Sequence, residues 1–341
     1  MGRAEESTLE SSDSGRLAVL RKRLPLWLAV GAAVALGVGL LGDAPRVGAA
    51  FLNFRWELLP LILGLTLLNY LLRFAKWQFY LRVIGAPSML WTESLLIFVS
   101  GLAMTMTPGK VGEWLKSFLL RERHGLPIAT SAPIIIAERL TDGLAMLILA
   151  SGGLLVYGYG KELLVLIAIG AVGLVVFTQI RAIPLAILRM LEGMPVFNKR
   201  VPHLRAFYES THRLFSLGPL LLAVSLGLIS WGGECVAMYL VLVGLGVVST
   251  PELLLQSTFI LASSSLLGSA SMLPGGLAVA DGTIAGMLLV LGVTNDGAIA
   301  AAATLLIRFC TLWFGIGVGV VGLLALDRTP NAANKVARTT G

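Results

Sequence analysis

Residues 252–291, ELLLQSTFILASSSLLGSASMLPGGLAVADGTIAGMLLVL, form a long apolar stretch with a break at its centre. The break is Pro274, Gly275 and Gly276. Proline lacks an amide donor and clashes with the preceding turn, and glycine adds backbone freedom, so a continuous helix there is costly. The stretch predicts two half-helices joined inside the membrane. Such a break is tolerated only where it is buried in protein or lines a wet cavity.

A second stretch, 92–120, has the same design, with its break at Pro108 and Gly109. The other apolar blocks have the length of about 20 residues that a hydrocarbon layer of about 30 Å requires. The predicted continuous spans are 24–42, 58–80, 131–157, 161–180, 217–245 and 297–325. Together these stretches predict an all-α, polytopic integral membrane protein with two re-entrant helical hairpins.

The composition agrees with a membrane protein and excludes several soluble classes. Of the 341 residues, 56% are hydrophobic and only 13% are charged, about half the charged fraction of a globular protein. The net charge of +7 comes from basic residues that flank apolar spans, which indicates topology and not nucleic-acid binding. Cys235 and Cys310 lie in apolar spans without a CxxC motif, so we expect no metal and no cofactor.

The chain divides into one membrane domain and two polar tails. Residues 1–15 predict a disordered tail, 16–328 a single transmembrane domain, and 329–341 a flexible tail. The first span, 24–42, is longer than a signal-peptide core and predicts a retained anchor. The distribution of Lys and Arg places the N-terminus and both tails in the cytoplasm and the chain in the cell inner membrane. An amphipathic connector at 182–216 is expected on the inner leaflet.

The segments 58–157 and 217–325 resemble each other, and the predicted topology gives them opposite orientations. The similarities occur in the same order in both segments. They are Tyr80-Leu-Arg-Val-Ile-Gly85 with Tyr239-Leu-Val-Leu-Val-Gly244, Glu93 with Glu252, Met106-Thr-Pro-Gly109 with Met272-Leu-Pro-Gly275, and Arg139 with Arg308. The alternative is chance similarity between apolar segments. Paired broken helices in an inverted repeat point to the central site of a transporter.

Charged residues at membrane depth mark the candidate site, because each costs about 2.5–3.5 kcal/mol to insert at a helix centre. Glu138-Arg-Leu-Thr-Asp142 places Arg139 as the cation between Glu138 and Asp142. It is either a self-neutralising structural clasp or a site for an anionic head group. Arg308 has no acid on its own helix, so its partner must come from elsewhere, with Glu234 and Asp281 as the candidates. An unpaired guanidinium would grip two phosphate oxygens.

Further basic residues lie near the ends of the spans. Lys110 and Glu113 follow the first break, where the N-terminus of a half-helix favours a phosphate. The alternative for Lys110 is an interfacial lysine. Arg73 is a candidate for substrate binding within a collar that also holds Lys76, Trp77 and Arg82, and such a collar is typical of a membrane-interface anchor.

These motifs together resemble the lysylphosphatidylglycerol synthase transmembrane-region family. The resemblance covers about residues 15–328 and rests on Pro108-Gly-Lys-Val-Gly-Glu113, Glu138-Arg-Leu-Thr-Asp142, Leu273-Pro-Gly-Gly276 and Arg308. The family usually has glycine and glutamate where this chain has Ala278 and Asp281. In longer members the region is fused to an aminoacyl-transferase domain and is associated with moving the lysylated lipid to the outer leaflet. The resemblance therefore implies lipid translocation.

The sequence thus predicts a transporter of an anionic lipid, either a phosphatidylglycerol derivative or a polyprenyl phosphate. One alternative is an integral-membrane transferase that uses a lipid-phosphate donor, with an acid such as Glu113 as its base. Another is a non-catalytic membrane partner of a separate synthase or glycosyltransferase. That third reading leaves the charged residues at membrane depth unexplained.

Overall fold

The computed structural model describes residues 43–107, 112–157 and 201–328, and only single positions elsewhere. Every regular element in this part of the chain is a helix. Several predictions lie outside the described residues, wholly or for the most part. They are the two tails, the spans 24–42 and 161–180, the connector before residue 201, and Pro108, Gly109 and Lys110.

Eleven helices are described, and they form two halves of equal design. They are α1 (Ala44–Leu52), α2 (Leu59–Val83), α3 (Trp91–Ala103), α4 (Leu115–His124), α5 (Ile128–Tyr157), α6 (Val201–Leu214), α7 (Leu217–Gly244), α8 (Pro251–Ala270), α9 (Val279–Val290), α10 (Gly297–Arg308) and α11 (Phe314–Arg328). A π-helical turn, Phe309–Trp313, joins α10 to α11. The first half is α2 to α5 and the second is α7 to α11, with a broken hairpin in the middle of each.

Four described segments are long and apolar enough to cross a membrane: Trp56–Val83, Leu217–Gly244, Pro251–Ala270 and Gly297–Leu326. Shorter apolar helices lie at Trp91–Met106 and Pro274–Val290. Helix α5 has 30 residues, a length of about 45 Å, and carries the charged Glu138-Arg-Leu-Thr-Asp142 motif. The chain is therefore an all-α, multi-pass membrane protein, as the sequence predicts.

Helices α2 and α7, the first helices of the two halves, pack antiparallel. The Asn69 side-chain amide donates to the Ser230 carbonyl at 3.1 Å, and the Arg55 N–H donates to the Gly244 carbonyl at 3.0 Å. Residue numbers thus rise along one helix as they fall along the other. Since the two halves repeat the same order of elements, opposed first helices make them an inverted repeat.

The last helix of each half packs against the hairpin of the other half. Helix α11 lies along α3, and α5 lies along α8. The close points are glycines: a Cβ added to Gly322 would overlap Val99, and a Cβ added to Gly153 would overlap Phe259. Small residues let membrane helices approach this closely. Because α5 and α11 each pack against the other half, they hold the two halves together.

The second hairpin turns at the predicted break. Four of its residues, Met272, Gly275, Gly276 and Ala278, have positive φ. Position 276 requires glycine, because a Cβ there would lie 3.1 Å from the Gly268 Cα. Ala278 has φ 64 and ψ −49, and the Val279 N–H donates across it to the Leu277 carbonyl at 2.8 Å. This is a γ-turn of the rare, strained kind.

Helices α1 and α6 complete the described part of the chain. Helix α1 was not predicted, and Arg46 in it pairs with Asp296 at the start of α10 at 2.8 Å. Helix α6 packs against α5, with Leu214 buried and Glu209 exposed. Leu204 on the same helix is 42% exposed.

Candidate functional site

A cavity lies between the two halves, beside the tip of the second hairpin. Its empty space, including the open mouth, is about 1050 Å³. Five charged side chains reach it from both halves: Arg73, Glu113, Arg139, Glu234 and Arg308. All five are residues that the sequence predicts for the site. The rest of the lining includes Tyr70, Trp231, Ser264, Gly275 and Gly276.

Arg308 is held by the second hairpin. Its Nε lies 2.7 Å from Asp281 Oδ1, and its Nη2 donates to the Gly275 carbonyl at 2.7 Å. Asp281 is in the first turn of α9, where its Oδ2 accepts the Ala278 N–H at 3.0 Å. Of the two acids that the sequence offered as partners, the structure therefore selects Asp281. Aspartate at this position pairs with the arginine despite its shorter stem.

Arg139 has the same arrangement in the first half. Its Nε lies 3.1 Å from Glu113 Oε2, and Glu113 belongs to a short helical turn at 112–114, before α4. The Arg139 Nη2 also lies 3.6 Å from Asp142 Oδ2, which is the predicted pairing one turn along the helix. In each half, then, the arginine of the last span meets an acid just after the hairpin break.

Two lysines change the expected role of Arg139 as the cation for both neighbouring acids. Glu138 pairs with Lys116, and Asp142 Oδ1 lies 2.5 Å from Lys76 Nζ. Arg139 is thereby released from Glu138 and turns toward the cavity, with 28% of its side chain exposed. Of the two alternatives, a clasp in which Arg139 alone neutralises both acids does not form, although Arg139 keeps its contact with Asp142.

Lys76 and Trp77 do not form an interface collar, because each is only 1% exposed. The Lys116 ammonium lies 4.7 Å from the centre of the Trp77 ring, a cation–π distance. Sequence reasoning missed both lysines as site residues. No local signal was available, because each lysine meets its acid on a different helix, with Lys76 lying 66 positions before Asp142 and Lys116 lying 22 positions before Glu138.

Glu234 lies on α7 and lines the cavity, but it does not pair with Arg308. The residue is only 3% exposed, and no ion pair joins it to another residue in the described ranges. The Arg73 guanidinium acts on it electrostatically. That guanidinium lies 6.0 Å from the centre of the Trp231 ring, and its Nε lies 3.9 Å from Asp142.

A comparison with known families agrees with this architecture. The model of the family described as "Lysylphosphatidylglycerol synthase TM region" matches residues 28–319. The chain belongs to this family. The match includes both hairpins, every candidate site residue and the inverted repeat as far as residue 319.

One known membrane protein is similar to this chain over most of its length. The UPF0104 membrane protein of Methanothermobacter thermautotrophicus is 24% identical over 293 residues, covering 78% of this chain and 82% of that protein. No solved structure gives a significant match. Among the described residues, no group of three or more His, Cys, Asp or Glu side chains is placed to hold a metal ion.

Proposed function

We propose that the protein moves an anionic, phosphate-bearing lipid between the two leaflets of the cell inner membrane. The observation that carries this proposal is the pair Arg139 and Arg308. The two guanidinium groups come from opposite halves of an inverted repeat and line one cavity. Arginine suits a phosphate because its planar donors bind two oxygens together.

The acids that hold these arginines also support transport over permanent binding. Glu113 and Asp281 occupy the guanidinium groups when the cavity is empty, so a phosphate must compete with a carboxylate. That competition lowers the net affinity for the lipid. A translocation site requires it, because a lipid bound too tightly at mid-membrane would not leave.

The apolar part of such a lipid has a place beside Arg308. A second, mostly apolar cavity is lined by Phe51, Trp56, Leu277, Phe309 and Trp313, and Arg308 and Asp281 also border it. A head group at Arg308 would thus have a hydrocarbon surface next to it. Both a phosphatidylglycerol derivative and a polyprenyl phosphate fit this chemistry. A separate synthase or glycosyltransferase is the proposed source of the lipid.

The proposed orientation has a cytoplasmic N-terminus. It places Thr250 outside and Arg121 inside, as the positive-inside rule favours. Single cysteines introduced at these two positions test it. An impermeant thiol reagent added to intact cells should label position 250 and leave position 121 unlabelled, and the reverse pattern would contradict the orientation.

Transport is tested in proteoliposomes that contain fluorescent phosphatidylglycerol, with a reductant added outside to bleach the exposed leaflet. The Arg308→Leu/Asp281→Asn variant removes the cavity pair without leaving a lone buried charge. Arg46→Leu/Asp296→Asn is the matched control, because it removes an arginine–aspartate pair whose acid also caps a helix.

We expect the wild-type protein and the control to bleach both leaflets, and the cavity variant to lose at least about tenfold in rate, the loss of one charge-assisted contact. A folded cavity variant that flips lipid at the wild-type rate would remove Arg308 from the mechanism. If the wild type flips neither phosphatidylglycerol nor a polyprenyl phosphate, the proposal fails.

A further inference from the structure

Glu234 is a buried carboxyl group that neither arginine uses. It is 3% exposed and lies in the wall of the cavity shared by Arg139 and Arg308. Its Oε2 and the hydroxyl of the adjacent Thr66 lack a well-formed hydrogen bond within the described part of the chain. A buried carboxylate without a counter-ion is costly, and the usual remedy is to hold a proton.

Among the described groups that face Glu234, the Arg73 guanidinium and the Thr66 hydroxyl favour its charged form. Helix α2 contributes Thr66, Tyr70 and Arg73, and the neighbouring thiols are Cys235 and Cys310. Arg73 is already close to Asp142, and the Tyr70 hydroxyl donates to the Thr311 carbonyl at 2.6 Å. Helix α8 lines the cavity with leucine, serine and glycine alone among its described residues.

The charge balance of the site depends on this one residue. The described residues of the cavity and its ion pairs include five cations: Arg73, Lys76, Lys116, Arg139 and Arg308. Apart from Glu234, they include four acids: Glu113, Glu138, Asp142 and Asp281. With Glu234 protonated, one positive charge is in excess, which matches one phosphate monoanion. With Glu234 ionised, these groups carry no excess positive charge, and an added anion loses the attraction that the protonated site offers.

We propose that Glu234 is a proton-binding site, and that the anionic lipid binds and crosses together with one proton. This inference rests on the proposed function and adds its coupling ion. The lipid and proton would cross as an electrically neutral pair, so the membrane potential would not oppose the movement of the phosphate. A proton gradient could then drive the lipid in one direction.

The affinity for lipid tests the coupling, using purified protein in detergent and a short-chain phosphatidylglycerol, with Trp231 in the cavity wall as the fluorescent reporter. Wild-type affinity should fall by about tenfold or more between acidic and alkaline pH, since losing the proton adds a negative charge. Glu234→Gln mimics the protonated form and should bind at all pH values as the wild type does in acid. Glu57→Gln, at an exposed carboxyl group, should behave like the wild type.

A second measurement does not depend on the lipid. Infrared difference spectra of wild type against Glu234→Gln should show the carbonyl band of a protonated carboxyl group in acid and its loss in alkali. Absence of this band would overturn the inference. So would pH-independent binding by the wild type, a Gln variant that keeps the wild-type pH dependence, or a Gln variant that no longer binds in acid. If the wild type neither binds nor moves lipid at any pH, the proposed function fails, while the infrared band still decides whether Glu234 holds a proton.

Discussion

Replacing Arg308 with leucine should destabilise the protein strongly, and removing the charge of Asp281 as well should restore most of the loss. The two groups lie 2.7 Å apart, with side chains 16% and 6% exposed. Taking away one partner leaves the other as a buried, unpaired charge, at a cost of about 3–5 kcal/mol. From the sequence alone, leucine would be expected to be tolerated here, because no acid lies on the same helix.

The double variant Arg308→Leu/Asp281→Asn should behave differently. Asparagine keeps an oxygen that accepts the Ala278 N–H, which Asp281 accepts at 3.0 Å, while it removes the charge. We therefore expect it to recover at least about 2 kcal/mol relative to Arg308→Leu, a coupling within the range for residues in contact. The surface pair Arg46–Asp296 has side chains 63% and 32% exposed, and breaking it should cost about 1 kcal/mol or less.

Thermal unfolding in detergent, followed by tryptophan fluorescence, measures these differences. For a chain of 341 residues, a loss of about 3 kcal/mol corresponds to a fall in melting temperature of roughly 4 °C. The order of stability should be wild type, then the double variant, then Arg308→Leu. The prediction fails if Arg308→Leu is as stable as the wild type, or if the double variant is no more stable than Arg308→Leu. Either result would show that Arg308 and Asp281 do not stabilise the protein as a buried ion pair.

Three further predictions concern the backbone and the packing. Ala278→Gly should raise the free energy of unfolding by about 1 kcal/mol, because φ is 64 there and such strain costs about 1–3 kcal/mol. The control Ala285→Gly, inside α9, should lower the free energy of unfolding by about 1 kcal/mol. Equal shifts in melting temperature for the two variants would contradict this prediction. Gly319→Ala should lower the melting temperature, since its Cβ would overlap the backbone of α3, while Gly317→Ala, with open space at its Cβ, should not. Arg139→Lys should preserve folded yield better than lipid exchange, because lysine keeps the charge but loses the fork; equal preservation would indicate a structural role only.

The local features of the fold could be predicted because they depend on adjacent residues. Pro274 and its two glycines stop a helix wherever they stand, and the apolar blocks set the helix positions to within a few residues. The inverted repeat was also visible in the order of its motifs. Helix α1 was missed because its nine residues, Ala44–Leu52, are too few to resemble a span.

The ion pairs could not be assigned from the sequence, because each depends on contacts between distant helices. Lys76 lies 66 positions before Asp142, and composition alone placed it at the interface. Choosing Asp281 over Glu234 as the partner of Arg308 required the path of the second hairpin. Depth in the membrane and the direction of a side chain are properties of the packed helices, and no local pattern contains them.

The inverted repeat bears directly on how a phosphate would cross. Arg139 and Arg308 occupy equivalent positions in opposed halves, and each is held by an acid beside its own hairpin break. A head group passing from one guanidinium to the other would therefore exchange one carboxylate competitor for another of the same kind. Because a carboxylate competes at each position, neither arginine would hold the phosphate as strongly as an uncontested cationic site. The same near-symmetry leaves no preferred direction within the arginine pairs themselves. Glu234 has an uncharged counterpart on α2 at the matching place, Ala75, so any directionality must come from features outside the two pairs, and the proton site is the one that the cavity offers.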